Sequence, residues 1–399
     1  MLTATQLERY ADTLLWGLQT ARAERYKKGD IIMIRYDRAA LPLAEVLYPR
    51  LLEKGFNVLQ RTTLTEKMEQ DFYRLSDANQ LVFKVPGDQE LFGALNGGIY
   101  LRAPSSITHL SSADPGKIGK AAVARKYLSD ILDVREAQGL FGWTLCICPT
   151  EELARHAGMT LEEYTDQIVK ACFLNRTDPV SHWKKIYKEA QAIKKWLNSL
   201  KVKFFKIESE NIDLEIFPGE FRKWIGISGH NIPSFELFLS PDWRGTSGVY
   251  YADQPTYRSG NYAKGIRLEF RNGSAVSVEA QEGRDFVQKQ LTMDEGASKI
   301  GEFSLTDKRF SKIDRFMANT LYDENYGGKS GNCHIALGAS YSDTFDGNPA
   351  ELTKEKKARL GFNDSALHWD LVNTEEKRVV AYLETGEKKT IYEKGMFTC

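Results

Sequence analysis

The chain has 399 residues, 42% of them hydrophobic, which is long enough for two buried cores, so two domains are the expected arrangement. Lysine plus arginine and aspartate plus glutamate number 54 each, and this balance excludes a strong net field that would attract nucleic acid or an acidic membrane surface. The five cysteines form no C-x-x-C pair, no apolar run is long enough to span a membrane, and the N-terminal segment lacks the pattern of a secretory signal. We therefore expect a soluble cytoplasmic protein with no nucleic-acid or membrane partner.

The N-terminal half alternates helical and strand patterns. Apolar residues recur at helical spacing from Leu7 to Leu18 behind Thr3, a candidate N-cap. Short apolar strands are then predicted at 31–34, 56–59, 81–83, 98–101 and 141–148, separated by helices at 41–54, 66–75 and 118–132. This order is typical of a mainly parallel sheet covered on both faces. Neither glycine-rich nucleotide fingerprint is present, which argues against a nucleotide cofactor.

The pattern changes near residue 200, after a further helical stretch at 182–200. Strands are predicted at 202–207, 214–217 and 224–227, turns become rich in glycine and asparagine, and the one convincing helix is near 311–321. We place the domain boundary near Glu215. The prediction is an α/β N-terminal domain with a mainly parallel sheet, residues 1–215, followed by a β-rich α+β metal-binding domain, residues 216–399.

Six acidic and imidazole side chains of the C-terminal half stand among apolar or glycine-rich neighbours: Glu236, Glu302, Glu324, His334, His368 and Asp370. His368 and Asp370 alternate with large apolar residues at the period of a strand, so both point to one face. Gly301, just before Glu302, permits a close approach of another backbone segment. Burying several like charges without a cation costs several kcal/mol per ion, so convergence of these groups indicates a metal site.

Mixed nitrogen and oxygen donors of this number suit two divalent ions that share a carboxylate, and zinc, cobalt, manganese and magnesium each fit part of the set. Each residue alone has a simpler interpretation. For Glu236 it is a salt bridge to an arginine, for His334 a satisfied core histidine, and for His368 with Asp370 a hydrogen-bonded pair on a partly exposed strand. There is no H-E-x-x-H motif and no G-x-S-x-G elbow, which excludes an ordinary zincin and argues against a common serine hydrolase.

In order and spacing, five segments resemble the thermophilic aminopeptidase family, of the aminopeptidase T and aminopeptidase S type: 231–241, 294–302, 319–325, 334–341 and 361–370. The resemblance covers most of the chain. It implies that the metal ligands are Glu236, Glu302, Glu324, His334, His368 and Asp370. It further implies that Glu302 is the bridging carboxylate, that Tyr341 is the active-site tyrosine, and that the protein is a homodimer whose N-terminal domain helps enclose the active-site cavity.

The predicted reaction is removal of the N-terminal residue from a peptide with a free N-terminus, by a metallo-aminopeptidase with two divalent ions. Tyr341 would donate to the oxyanion, which requires a turn at Gly338 because an odd spacing from His334 sends the two side chains to opposite faces of a regular strand. Glu302 or Glu236 would share a proton with the attacking water. Two alternatives stay open. A two-metal phosphoesterase would add arginine or lysine donors, and none stands beside the six residues in the sequence; a catalytically inactive metal-stabilised peptide-binding protein would keep the ligands without turnover.

Overall fold

A computed structural model describes all residues from Met1 to Cys399, and the chain divides into two compact units. The first comprises residues 1–187 and 227–234, and the second comprises residues 188–226 and 235–399. This division differs from the single boundary expected near Glu215. The strands at 202–208 and 213–216 hydrogen-bond to strands of the second unit, whereas the short strand at 231–232 pairs with the parallel sheet of the first.

The strands in chain order are β1 Ile31–Tyr36, β2 Asn57–Thr62, β3 Gly97–Arg102, β4 Gly142–Ile147, β5 Val202–Glu208, β6 Asp213–Ile216, β7 Asn231–Ile232, β8 Glu236–Leu239, β9 Ser247–Ala252, β10 Thr256–Arg258, β11 Asn261–Ala263, β12 Ile266–Arg271, β13 Ser274–Glu279, β14 Ile300–Thr306, β15 Asn332–Gly338, β16 His368–Asn373, β17 Arg378–Leu383, β18 Lys388–Glu393 and β19 Met396–Phe397. The helices are α1 Ala4–Ala21, α2 Leu41–Glu53, α3 Glu66–Leu75, α4 Ala78–Leu81, α5 Asp88–Ala94, α6 Pro115–Ala137, α7 Glu151–His156, α8 Leu161–Ala171, α9 Pro179–Ser199, α10 Arg284–Leu291, α11 Thr320–Asp323 and α12 Lys354–Leu360. None of them combines the length and apolar character that a membrane crossing requires.

The first unit is built on a five-stranded sheet in the order β2-β1-β3-β4-β7, and every pair in it is parallel. This confirms the predicted parallel sheet. Thr3 is the N-cap of α1, in a capping box with Gln6. The strand predicted at 81–83 is wrong, because Asp77 and Gln80 form a second capping box that starts the short helix α4, in which Leu81 is buried.

The second unit contains an eight-stranded antiparallel sheet, β13-β12-β9-β6-β5-β17-β18-β19, and a four-stranded antiparallel sheet, β16-β15-β14-β8. Aromatic rings join one face of each sheet, since Phe303 of β14 lies 5.8 Å from Phe205 of β5 and 5.5 Å from Trp224. Tyr250 of β9 donates its hydroxyl proton to the carbonyl of Leu371 in β16, at 2.7 Å. The four-stranded sheet therefore has one face in this core and turns its other face away from it.

Two predicted elements of this unit are wrong. Residues 224–227 form no strand beyond a single bridge from Ile225 to Phe238. The helix expected near 311–321 reduces to α11, because the Asp323 carboxylate accepts hydrogen bonds from the backbone of Met317 at 2.7 Å and of Asn319 at 2.9 Å. A side chain that satisfies backbone N–H groups removes the need for a helix there. The sequence analysis missed α10 and α12.

Candidate metal centre

The outer face of the four-stranded sheet carries five of the six predicted site residues. Side chains alternate along a strand, so Phe303 and its counterparts face the aromatic core while Glu302, on the same strand, faces the other side. Ala336 of β15 lies opposite Glu302 of β14 and, on its other side, opposite Asp370 of β16. The small methyl group of Ala336 leaves room between the two carboxylates.

The polar atoms of this face lie close together. His334 Nε2 is 3.2 Å from Glu236 Oε2, 3.1 Å from Glu302 Oε1 and 3.9 Å from Asp370 Oδ1. His368 Nε2 is 3.4 Å from Asp370 Oδ1 and 3.8 Å from Glu302 Oε2. Glu236, Glu302 and His334 are 5%, 3% and 1% exposed, so these three side chains are shielded from water. These five side chains do converge, although they come from strands spread over more than 130 residues.

Glu324 joins the cluster from outside the sheet. It is the C-cap of the four-residue helix α11, and its side chain is buried. Asn325 donates to Glu324 Oε1 at 3.4 Å and accepts from the backbone N–H of Phe235 at 2.5 Å, which ties this segment to the start of β8. Burial, followed by the charges of Glu236 and Asp370, raises the pKa of Glu324 well above its usual value.

Tyr341 returns to the cluster after a turn at the end of β15. The strand ends at Gly338, whose φ of +101° suits glycine and turns the chain out of the sheet. The ring of Tyr341 then lies 4.8 Å from the ring of His368 in an edge-on contact. Its backbone N–H donates to Ser240 Oγ at 2.8 Å, so its position is fixed by the backbone as well as by the ring.

Gly301 allows the strand that carries Glu302 to pass close to this turn. A β-carbon at position 301 would overlap the carbonyl oxygens of Gly338 and Ala339. The φ angle of Gly301 is not positive, so the backbone conformation would accept another residue. Only the steric contact with the two carbonyl oxygens requires glycine at this position. Glu302 therefore keeps its place because the residue before it has no side chain.

The cluster places acids and imidazoles in strong mutual electrostatic contact. Burial raises the pKa of Glu302 to about 7, with the Glu236 charge adding to this and His334 opposing it. Burial lowers the pKa of His368, but Asp370 and Glu302 outweigh it and raise the value to about 9. Burial likewise opposes the effect of Glu236 and Glu302 on His334, whose pKa is raised well above 6.5. Perturbed groups of this kind concentrate at functional sites.

The donor set fits a metal centre. One oxygen of Glu236, one of Glu302 and one nitrogen of His334 all lie within 4.8 Å of one another. Four buried carboxylates carry a formal charge that two divalent cations would offset, and imidazole with carboxylate donors suits zinc and neighbouring divalent metals. His334 Nδ1 is buried and has no hydrogen-bond partner, so the ring is held chiefly through its other nitrogen.

The sequence analysis missed one cation beside this cluster. Arg258 of β10 donates from Nη1 to the carbonyl oxygen of His368 at 2.6 Å, and its charge acts on Asp370. The two hydrogen-bonded residues are 110 positions apart, and Arg258 belongs to a separate hairpin. No spacing rule connects such residues, so the sequence carried no signal for it.

Carboxylates and imidazoles gathered on one sheet face indicate a metal-binding protein of mixed α/β architecture. The chain belongs to the thermophilic metalloprotease (M29) family, whose model matches residues 3–397. The predicted family is thereby confirmed, and with it the predictions of a metal-dependent peptidase and of a divalent metal cofactor.

Individual relatives agree with this assignment. Aminopeptidase T of Thermus aquaticus is 28% identical over 306 residues, covering 72% of each chain. Aminopeptidase 2 of Geobacillus stearothermophilus is 27% identical over 311 residues, again covering 72% of each. The solved structure of wild-type AmpT from Thermus thermophilus superimposes with a TM-score of 0.77 over 99% of both chains at 22% identity, which shows that the two proteins share a fold.

Proposed function

We propose that this protein is an aminopeptidase that removes the N-terminal residue from peptides with a free N-terminus, and that it uses two divalent metal ions. The observation that carries the proposal is the convergence of five donors on one sheet face, with His334 Nε2 within 3.2 Å of two carboxylates. The buried Glu324 interacts with this group through the charges of Glu236 and Asp370. The relatives named aminopeptidases support the same reaction. The proposed ligands are Glu236, Glu302, Glu324, His334, His368 and Asp370.

Glu302 is the best candidate for a carboxylate shared by both ions. Its two oxygens face different imidazoles, since Oε1 lies 3.1 Å from His334 Nε2 and Oε2 lies 3.8 Å from His368 Nε2. A carboxylate between two nitrogen donors can bind one cation through each oxygen. Glu236 is oriented differently, because Ser304 donates its hydroxyl proton to Glu236 Oε2 at 2.9 Å.

Two divalent ions held here would lower the pKa of a bound water toward about 7 and polarise the scissile carbonyl. The chain itself supplies the remaining groups. Either Glu302 or Glu236 is the group proposed to share a proton with the attacking water. One of the ions would also contact the free α-amine of the peptide, which suits removal of a terminal residue.

Tyr341 is the proposed oxyanion donor. The hydroxyl end of the side chain is desolvated and lies near the carboxylates, and both effects raise the pKa of the phenol well above 10, so the hydroxyl keeps its proton at neutral pH. The residue is 38% exposed, which leaves it reachable by a substrate. A hydroxyl in this position can donate to the developing negative charge on the scissile carbonyl oxygen.

Metal analysis combined with an assay for release of the N-terminal residue tests the proposal. We expect two divalent ions per chain, loss of turnover after treatment with a chelator, and recovery when zinc, cobalt, manganese or magnesium is returned. Asp370→Ala is the control that removes one ligand, and it should lose both metal and activity. Undiminished release of amino acids from a fully metal-free protein would refute the proposal.

A two-metal phosphoesterase is the second candidate, because Arg258 lies beside the cluster where a phosphate group would need a cationic donor. Family membership favours the peptidase. An aminoacyl amide and a phosphomonoester, assayed side by side with the same metal-loaded protein, separate the two reactions. A protein that binds metal and peptide but turns over neither substrate would instead be an inactive peptide-binding relative.

We also propose that the protein is a homodimer and acts in the cytoplasm. The dimer rests on the family resemblance, and light scattering of the purified protein tests it directly. All five cysteines are free and four of them are buried, which suits a reducing compartment. Fractionation of the producing cells tests the location.

A further inference from the structure

The strand that carries two of the proposed ligands lies at the edge of its sheet. β16 pairs with β15 on one side only, in the order β16-β15-β14-β8. The carbonyl groups on its other side need partners, because an unpaired edge leaves backbone polar groups unsatisfied. Segment 254–258 supplies three of the contacts along this edge: Gln254 N to Val372 O at 3.3 Å, Trp369 Nε1 to Thr256 Oγ1 at 3.1 Å, and Arg258 Nη1 to His368 O at 2.6 Å.

A tight hairpin holds Arg258 at the end of this segment. β10 and β11 pair antiparallel, and Arg258 with Asn261 is the last pair before the turn. The turn consists of Ser259 and Gly260, with φ of +46° and +72°, the left-handed conformation that two-residue hairpin loops require. The guanidinium is therefore presented to His368, the first residue of β16, by a short and well-defined element.

The guanidinium occupies an unusual position for an arginine. Its Nε is buried and has no hydrogen-bond partner, and its central carbon lies 5.7 Å from the ring of Trp369. A guanidinium is cationic at neutral pH, and the charge of Asp370 acts on this one. Placing a cation in a buried position costs free energy that an exposed arginine would avoid, which indicates that its hydrogen bond to His368 and its charge interaction with Asp370 serve the site.

We infer that Arg258 is a positioning residue of the metal centre: its hydrogen bond fixes His368 at the edge of the sheet, and its positive charge balances Asp370. The inference rests on the proposed function, because His368 and Asp370 are proposed ligands. Groups that contact ligating residues orient them, and their loss typically weakens metal binding or activity about 10- to 100-fold. Arg258 acts through His368 and Asp370 and need not touch the peptide.

Metal titration of the stripped protein by calorimetry, with zinc or cobalt alone as the probe, tests this. Arg258→Met removes the charge and the donor but keeps much of the side-chain volume. We expect one of the two ions to bind about 10- to 100-fold more weakly, while the other is nearly unaffected. In the cobalt-loaded protein the visible absorption should change, because the geometry of His368 and Asp370 changes. Turnover should fall mainly through kcat at subsaturating metal and recover in part when metal is added.

Two control variants separate the guanidinium from the hairpin. Arg271→Met alters an exposed arginine of β12, 68% of whose side chain is accessible, and should leave metal affinity unchanged. Thr256→Val removes the bond from Trp369 and loosens the same hairpin without changing charge. If Thr256→Val weakens metal binding as much as Arg258→Met, docking of the hairpin is the cause and the inference fails.

The remaining outcomes also decide the matter. If the wild-type protein binds two ions and the Arg258→Met variant binds them equally well, this inference is overturned and the proposed function stays intact. Wild-type protein that binds no metal would defeat both. If Arg258→Met does not fold, Arg258→Gln takes its place, because glutamine keeps a donor for the His368 carbonyl but has no charge. Unchanged metal affinity in Arg258→Gln would contradict the role of the charge.

Discussion

Tyr341→Phe isolates the hydroxyl group proposed to stabilise the oxyanion. The substitution leaves the ring in place, because its edge-on contact with His368 at 4.8 Å and its contact with Phe238 at 5.7 Å involve only ring atoms. The backbone bond from Tyr341 to Ser240 Oγ at 2.8 Å is also kept. The variant should therefore fold normally and differ from the wild type by one oxygen atom.

The expected effect follows from the strength of such a donor. Removing one oxyanion donor typically costs about 3 to 4 kcal/mol in the transition state, which corresponds to a decrease of about 10² to 10³ in kcat. Tyr341 is not a proposed ligand, so the metal content should stay the same. KM should change little, because the donor is used mainly after the carbonyl begins to carry negative charge.

Steady-state release of the N-terminal residue, measured with metal analysis on the same sample, provides the assay. Tyr382→Phe is a matched control, because Tyr382 lies in β17 and its ring stacks on that of Phe204 at 4.3 Å. The kcat of this variant should equal that of the wild type. If Tyr341→Phe keeps full kcat, the hydroxyl is not an oxyanion donor. If it loses metal as well as activity, the tyrosine is part of the metal site instead.

Three further predictions concern the metal and its support. Gly301→Ala should lower the melting temperature and weaken metal binding, because a β-carbon at this position overlaps the carbonyl oxygen of Gly338. Gly93→Ala is the control and should do neither, because a β-carbon there meets no atom within 4 Å. Equal melting curves for the two variants would contradict the steric argument. Removing metal with a chelator should lower the unfolding free energy by about 4 kcal/mol for each ion supplied at about 1,000 times its Kd, and an unchanged denaturation curve would count against a tightly bound ion. Metal binding should tighten as pH rises from about 6 to 9, because Glu302 with a pKa of about 7 and His368 with a pKa of about 9 must lose their protons before they bind metal. Calorimetry in buffers of different ionisation enthalpy should show that fewer protons are released on metal binding as the pH rises over this range. A metal affinity that does not depend on pH would refute this competition between protons and metal.

Part of the cluster follows from a local rule that the sequence shows directly. His368 and Asp370 stand two residues apart on a strand, so alternation alone sends both to one face, and the structure has them there. Buried carboxylates need a cation to offset their charge, and this led us to group His368 and Asp370 with Glu236 and Glu302 before the strands that carry these residues were known to be neighbours. Chemistry in this case supplied the long-range information that periodicity lacks.

Two of the failures share a different cause, which is a hydrogen bond between a side chain and the backbone. Segment 311–321 has apolar residues at helical spacing, yet the Asp323 carboxylate binds the N–H groups of Met317 and Asn319 and holds the chain in an irregular path. Arg258 was overlooked because the hairpin that carries it meets His368 only in the folded chain. Arg258 and His368 are 110 positions apart, so no fixed spacing in the sequence marks their interaction.

The position of the metal ions themselves tests the central claim most directly. A crystal of the zinc- or cobalt-loaded protein, measured at the absorption edge of that metal, should show two anomalous peaks about 3.5 to 4 Å apart. We predict that Glu302 lies between the two peaks, with His334 beside one and His368 beside the other. A single peak, or peaks away from this face of the four-stranded sheet, would contradict the account.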